Sequence, residues 1–129
     1  MSNDARITTI ESCIRDVPDF PKPGILFKDI APLLESPDGL RATIDLMAER
    51  WKGEGVEAIA ALESRGFPFG GALAERLGVG MVMIRKPGKL PYEKVGVDYA
   101  LEYGTDRVEM HVDSVRPGQR VLLVDDLLA

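Results

Sequence analysis

Three short apolar runs in the second half of the chain share one pattern: each is continuous, and each ends in charged residues. The runs cover residues 58–62, 81–84 and 121–124. Runs of four or five apolar residues without alternation are typical of strands buried on both faces, as in a parallel sheet covered by helices. The pattern therefore predicts an α/β fold in which the three runs form parallel strands.

Helical spacing predicts two helices beside this sheet. Ser36 and Pro37 supply a cap and a first-turn proline for one of them. Its apolar face follows at spacings of four, three and four residues, at Leu40, Ile44, Met47 and Trp51. Residues 67–77 lie between the first two strands and predict the crossover helix that joins them.

The N-terminal segment predicts one helix followed by an extended arm. Apolar residues recur three and four positions apart over residues 7–14, and Asn3 or Asp4 can cap this helix. Residues 16–24 contain three prolines, which lack the N–H that a regular ladder needs. We therefore expect an ordered arm without regular hydrogen bonding, followed by a short extended piece at 25–27.

An insertion of another kind separates the second and third strands. Residues 92–103 and 106–112 flank Gly104 and Thr105 and predict a β-hairpin. We expect this hairpin to project as a mobile flap. The only histidine, His111, has no companion ligands nearby in sequence, so we expect it on the hairpin surface and not at a metal.

Charge and composition disfavour several function classes. The 129 residues include 16 basic and 21 acidic side chains, a formal net charge of −5. This balance disfavours a broad nucleic-acid surface or a surface for anionic membranes, so any anion site must be local. No apolar run approaches the roughly 20 residues of a membrane helix, and the N-terminus lacks the pattern of a secretion signal. We expect a cytoplasmic protein whose single cysteine, Cys13, forms no internal disulfide.

The residues that follow the three strands carry candidate chemistry. Because ligands of an open parallel sheet bind beyond the carboxyl ends of its strands, we expect these residues to face one crevice. Arg65 lies in a turn before the crossover helix, where backbone amides and a guanidinium can bind phosphate or pyrophosphate. Arg85, Lys86 and Lys89 add positive charge on a loop. Each feature alone also fits a surface turn or a solvated loop.

Asp125 and Asp126 follow the third strand directly. Two adjacent carboxylates can accept hydrogen bonds from two ribose hydroxyls, or help to hold Mg²⁺ through its water shell. A single acid at a strand end is equally typical of a helix cap. Together with the positive turn, the pair indicates a ligand that carries both a sugar and a phosphate.

Six segments, in order, resemble one enzyme family. Residues 121–129 resemble the start of the phosphoribosyl pyrophosphate (PRPP) motif of type I phosphoribosyltransferases. Five further segments resemble signatures of the adenine phosphoribosyltransferases: 19–25, 27–30, 63–67, 85–91 and 101–104. The resemblance implies the type I phosphoribosyltransferase fold in a single incomplete domain, in which later strands and helices are missing. It also implies an N-terminal hood at 1–35 and a flexible flap hairpin at 86–112.

The resemblance implies a purine salvage transferase that forms AMP and pyrophosphate from adenine and PRPP with Mg²⁺, as a homodimer. Leu26 and Phe27 would pack on adenine, and the backbone near Lys28 would read its edge. Glu102 is the implied acid/base candidate, although a solvated strand carboxylate fits it too. No direct metal ligand is implied, since Mg²⁺ would be held mainly through pyrophosphate and ribose. The implied PRPP- and AMP-binding residues are Arg65, Arg85, Lys89, Asp125, Asp126 and Ala129, with Arg85 able to reach a neighbouring subunit.

Three alternatives share parts of this pattern. A 6-oxopurine phosphoribosyltransferase is the nearest, and composition alone does not exclude it. A regulator of the same fold would bind the ligand without chemistry, although Glu102 and the cationic loop argue against it. A receiver domain also has a strand that ends in two aspartates, but it needs its remaining strands after that pair.

The family continues after the acidic pair with a Thr-Gly-Gly-Thr loop whose backbone amides bind the sugar phosphate, and here only Leu127, Leu128 and Ala129 follow. We therefore expect residues 1–129 alone to form little or no AMP from adenine and PRPP. Chromatographic measurement of AMP checks this expectation. Robust AMP formation by the purified segment would contradict it.

Overall fold

A computed structural model describes residues 4–127, and the chain divides into two units, Met1–Arg50 and Trp51–Ala129. The first unit holds α1 (Ala5–Ser12), β1 (Arg15–Pro18), β2 (Leu26–Asp29), α2 (Ala31–Glu35) and nearly all of α3 (Pro37–Trp51). The second unit holds β3 (Ala58–Leu62), α4 (Gly66–Leu77), β4 (Gly80–Ile84), β5 (Lys94–Leu101), β6 (Gly104–His111) and β7 (Val121–Val124). The predicted α/β class is confirmed.

Capping side chains set where the N-terminal helices begin. Asp4 caps α1, because its carboxylate accepts a hydrogen bond from the backbone N–H of Arg6 at 2.9 Å. Ser36 caps α3 in the same way, through its hydroxyl and the N–H of Gly39 at 3.0 Å. The predicted helix after Ser36 is confirmed, with Ile44 buried on its apolar face. The short helix α2 was not predicted.

The first strand pair corrects the expected arm. Strand β1 pairs antiparallel with β2, and Arg15 lies opposite Asp29. The expectation of no regular ladder is therefore wrong for the start of residues 16–24. Pro18 is the last paired residue of β1, so its missing N–H falls at the end of the ladder, where the loss of a hydrogen bond costs little.

The three apolar runs form one parallel sheet in the order β4-β3-β7, as predicted. The central strand is covered on both faces, and Ile59 and Ala61 are fully buried. Strand β7 is less covered than the pattern predicted, because Leu123 is 63% exposed. Within residues 4–127 this strand pairs only with β3, so it forms an edge of the sheet.

The crossover helix α4 packs closely on this sheet through a glycine. A Cβ added to Gly70 would lie 2.6 Å from the Cβ of Ala61 and 3.1 Å from the sulfur of Met81. Leu73, on the same helix, is fully buried. Helix and sheet therefore touch at a distance that only a glycine allows at position 70.

The insertion forms the predicted hairpin, but its turn lies two residues earlier than expected. Strands β5 and β6 pair over their full length, and Leu101 lies opposite Gly104, so Glu102 and Tyr103 form the turn. Gly104 follows with a φ of +137°, which favours glycine at the start of β6. An isolated antiparallel bridge between Arg85 and Glu109 joins the hairpin to the end of β4.

The helices of the described part of the chain do not suit a membrane span. Among residues 4–127, no helix has both the length and the apolar character that crossing a bilayer requires.

Replacing Gly70 by alanine should lower the free energy of unfolding by about 1–3 kcal/mol, since the added methyl overpacks the contact with Ala61. Gly71→Ala is the matched control, because a Cβ there meets nothing within 4 Å. It should stabilise the helix by about 0.5–1 kcal/mol. Urea denaturation of both variants measures the difference, and equal effects would contradict the packing argument.

Candidate active site

A cavity of about 360 Å³ opens at the carboxyl ends of the three parallel strands. Its lining residues follow β3, β4 and β7 directly: Glu63, Ser64, Arg65, Lys86, Asp125 and Asp126. The register of the sheet explains this convergence, because Ala61 pairs with both Met83 and Val124 and all three strands run the same way. The predicted convergence of the three charged clusters in one crevice is confirmed.

The turn between β3 and α4 presents positive charge to this cavity. Arg65 stands at the cap position of α4, at the positive end of the helix dipole. In the first turn of this helix the N–H of Phe67 donates to the carbonyl oxygen of Ser64 at 3.1 Å, and Pro68 has no N–H. Nε of Arg65 forms an ion pair with Oδ2 of Asp126 at 2.9 Å, while half of the side chain stays exposed. The peptide bond between Glu63 and Ser64 is cis, which the sequence did not predict. The positive end of the helix dipole and an oriented guanidinium together suit an anionic ligand.

Gly66 lets α4 approach the end of β7. A Cβ at this position would lie 2.8 Å from the carbonyl oxygen of Val124 and 3.3 Å from Oδ1 of Asp125. Any larger residue would therefore push the helix start away from the acidic pair. Sequence reasoning treated Gly66 as part of a motif and missed this packing role.

The two acids differ in their surroundings. Asp125 is exposed, whereas the side chain of Asp126 is only 8% exposed and is paired with Arg65. The backbone N–H of Asp126 donates to Oδ1 of Asp125 at 2.8 Å. Burial, and then the neighbouring carboxyl of Asp125, raise the pKa of Asp126, and Arg65 opposes this shift. Asp125 is thus free in space to meet hydroxyl groups, while Asp126 holds Arg65.

Glu63 ties the ends of β3 and β4 together. Its Oε1 accepts hydrogen bonds from Nε of Arg85 at 2.9 Å and from the backbone N–H of Lys86 at 3.1 Å. The hydrogen bond from Lys86, with Arg85 adding to it, lowers the pKa of Glu63. The Arg85 guanidinium also lies 6.0 Å from the ring centroid of Phe67. Sequence reasoning did not single out Glu63, because its partner Arg85 follows a different strand and the order of the strands was not predicted.

Lys86 extends from the cavity to the hairpin. Its ammonium donates to Oδ2 of Asp106 at 2.7 Å and to the hydroxyl of Tyr99 at 3.1 Å. The bond to Asp106, and then the bond to Tyr99, raise the pKa of Lys86 to about 12. The bond from Lys86, and then the amide of Arg107, lower the pKa of Asp106 to about 2. Neither hairpin partner was among the residues singled out from the sequence.

The carboxylate of Glu109 holds the loop that carries Lys89. This carboxylate is buried, accepts the N–H of Gly88 at 3.2 Å, and takes a second hydrogen bond from Nε of Arg107 at 3.1 Å. Lys89 itself is exposed and does not line the cavity in this structure. Arg85 does not line it either, because Glu63 holds its guanidinium.

The remaining predicted residues lie elsewhere. Glu102 is exposed in the hairpin turn. Leu26, Phe27 and Lys28 lie on β2 of the N-terminal unit, where Phe27 meets the ring of Phe20 edge-to-face at 5.1 Å and Lys28 pairs with Asp16. Ala129 is outside the described residues.

The phosphoribosyl transferase domain matches residues 30–129 of this chain, whose parallel sheet carries a cationic turn and paired acids at its carboxyl edge. An adenine phosphoribosyltransferase from Sorangium cellulosum is 60% identical over 120 residues, which cover 93% of this chain and 60% of the relative. One from Thermosynechococcus vestitus is 56% identical and is covered over 71% of its length. The chain belongs to the adenine phosphoribosyltransferase family.

Solved structures agree with this assignment. The adenine phosphoribosyltransferase of Thermoanaerobacter pseudethanolicus matches with a TM-score of 0.91 at 53% identity, covering 95% of this chain and 72% of that one. The enzyme of Saccharomyces cerevisiae, crystallised with adenine and an imino-altritol bisphosphate, matches with a TM-score of 0.89 at 36% identity, again covering 95% and 72%. The predicted type I phosphoribosyltransferase fold is confirmed. The chain spans about 60 to 72% of the length of these relatives.

Asp126 should titrate above the ordinary aspartate value of 3.8, because burial favours its protonated form. A raised pKa in the folded state means that the free energy of unfolding falls as pH rises upward from 3.8 through that pKa. Arg65→Gln should raise the pKa further, since it removes the opposing cation. Carboxyl ¹³C NMR titration measures both values, with Arg116→Gln as the control. A midpoint at or below 3.8 in the unmodified chain would contradict the burial argument.

Proposed function

We propose that this protein forms AMP and pyrophosphate from adenine and PRPP, a pentosyl transfer of purine salvage. One observation carries the proposal. In a chain 52 to 60% identical to adenine phosphoribosyltransferases over 93% of its length, the cavity brings together a cationic turn and an acidic pair. A sugar pyrophosphate requires both, because its phosphates bind cations and its hydroxyl groups donate to carboxylates.

Arg65 and the N-terminal end of α4 are proposed to hold the pyrophosphate. Arg65 supplies a guanidinium that is oriented before the ligand arrives, since it forms an ion pair with Asp126 at 2.9 Å, and the start of α4 adds the positive end of the helix dipole. As the bond to the sugar lengthens, negative charge collects on the leaving pyrophosphate, and fixed donors stabilise that charge. Lys89 and Arg85 are proposed to add positive charge, with Arg85 reaching a neighbouring subunit.

Asp125 and Asp126 are proposed to accept hydrogen bonds from the ribose hydroxyls. The same pair fits Mg²⁺, because two carboxylates beside an open cavity leave room for an ion that keeps most of its water ligands. In residues 4–127 no group of three or more His, Cys, Asp or Glu side chains is arranged to hold a metal ion. When bound, Mg²⁺ would neutralise charge on the pyrophosphate.

The proposed adenine site uses Leu26, Phe27 and Lys28. Leu26 is 51% exposed and Phe27 presents an aromatic ring beside Phe20, so β2 carries an apolar surface suited to a flat base. Backbone groups near Lys28 would read the 6-amino edge, because an unpaired buried donor or acceptor costs about 1–3 kcal/mol. A purine with an oxo group at position 6 would leave a backbone donor or acceptor at this site unpaired.

Glu102 is proposed to exchange a proton with the purine ring while the hairpin excludes water. Its place in an exposed two-residue turn gives it freedom to approach a ligand. We also propose a homodimer and a cytoplasmic location, both on the strength of the family resemblance.

The test measures AMP by chromatography after the protein, expressed from its natural reading frame, is incubated with adenine, PRPP and Mg²⁺. Arg65→Gln should lower turnover about 100-fold, as loss of one preorganised donor does in other enzymes. Arg116→Gln, an equal charge change outside the cavity, should leave turnover unchanged.

Parallel assays with hypoxanthine and guanine separate the alternatives. Faster turnover of either base than of adenine would favour a 6-oxopurine transferase. PRPP binding without formation of any nucleotide would favour a regulator of the same fold. Both outcomes would overturn the proposal.

A further inference from the structure

The side chain of Lys86 contacts both the cavity and the hairpin. It lines the cavity with Ser64, Arg65 and the acidic pair, yet its ammonium is bound by Asp106 and Tyr99 of the hairpin. A lysine has a flexible four-carbon stem and a compact charge, so its tip can change partners without moving the backbone. The same ammonium is therefore available to two competing anions.

The backbone of Lys86 is fixed on both sides. Its N–H donates to Glu63 at 3.1 Å. The preceding residue, Arg85, exchanges two backbone hydrogen bonds with Glu109, at 2.8 and 2.9 Å. Because the backbone at Lys86 is held to the sheet and to the hairpin, exchange of hydrogen-bond partners involves only the lysine side chain.

The hairpin partners are also held in place without Lys86. Tyr99 and Asp106 are cross-strand neighbours, and the Tyr99 hydroxyl donates to Oδ2 of Asp106 at 3.0 Å. The backbone N–H of Arg107 donates to the other carboxylate oxygen at 2.7 Å. Asp106 therefore remains a ready acceptor when the ammonium leaves.

The ion pair is partly solvated, since the Lys86 and Asp106 side chains are 43% and 34% exposed. Ion pairs of this kind are weak, and a phosphate group offers more charge and more acceptor oxygens than one carboxylate. An anion seated between Ser64 and Arg65 can thus draw the ammonium away from the hairpin.

We propose that Asp106 and an anion in the cavity compete for the ammonium of Lys86, so that Asp106 sets the affinity of the cavity for pyrophosphate groups. Anion binding in turn releases the two hydrogen bonds that the ammonium makes to Tyr99 and Asp106 of the hairpin. Asp106 is a positioning residue in this scheme, because it acts on the ligand only through Lys86. The inference rests on the proposed function of the cavity as a pyrophosphate site.

The test measures binding of inorganic pyrophosphate by isothermal titration calorimetry. Asp106→Asn should tighten binding about two- to fivefold, in line with loss of one weak competing ion pair. Lys86→Gln should weaken binding, and Asp106→Asn should have no further effect in the Lys86→Gln background. Tyr99→Phe should tighten binding less than Asp106→Asn, because it removes one hydrogen bond and keeps the carboxylate.

Asp98→Asn is the matched control. Asp98 lies on the same hairpin, and its replacement by asparagine removes the same charge. Its partner is Arg107, at 3.1 Å, and not Lys86. An equal gain in affinity from Asp98→Asn and Asp106→Asn would overturn the inference, since general charge would then explain both. So would an effect of Asp106→Asn that persists without Lys86.

A spectroscopic measurement on the unmodified protein covers the case in which Asp106→Asn does not fold. Saturating pyrophosphate should move the pKa of Asp106 upward from about 2, because the cation that lowers it has left. An unchanged value, with pyrophosphate bound, would overturn competition while leaving the proposed function intact. Failure of the unmodified protein to bind pyrophosphate, or binding that ignores Arg65→Gln, would instead overturn the proposed function and this inference together.

Discussion

The approach of α4 to the end of β7 is the constraint on which the crevice depends. At Gly66 the helix backbone faces the carbonyl of Val124 so closely that a Cβ would lie 2.8 Å from that oxygen. This contact places the amide end of the helix, with its partial positive charge, next to the acidic pair. The distance between the turn that carries Arg65 and the carboxylates is thus set by a contact of backbone with backbone. We expect substitutions further along α4 to change the stability of the fold more than the geometry of the site.

Cations around the crevice are held by carboxylates. Arg65 pairs with Asp126, Arg85 with Glu63, and Lys86 with Asp106. Pairing orients each cation before a ligand arrives, which reduces the ordering that binding requires. Any anion that bound one of these cations would compete with its carboxylate partner.

Local patterns predicted the strands and helices well, since continuous apolar runs and capping residues are properties of neighbouring positions. Residues 58–62 and 121–124 match β3 and β7, and the helix after Ser36 starts where its cap indicates. The hairpin turn was misplaced because Gly104 follows the turn instead of forming it. Glu63, Asp106 and Glu109 were missed for a different reason. Their partners come from other strands, and only the register of the sheet and the hairpin brings them together.

The bridge between Arg85 and Glu109 also has a mechanical meaning. Two backbone hydrogen bonds join the hairpin to the sheet at this pair, and five residues of β6 lie between Glu109 and the two-residue turn. At about 3.3 Å per residue, the turn that carries Glu102 lies about 17 Å from the bridge. A rotation of about 10° around the bridge would carry the turn about 3 Å and Asp106, three residues from the bridge, about 2 Å. The bonds from Lys86 to Tyr99 and Asp106 oppose such a rotation, so release of the ammonium would remove a restraint whose effect is largest at the hairpin tip.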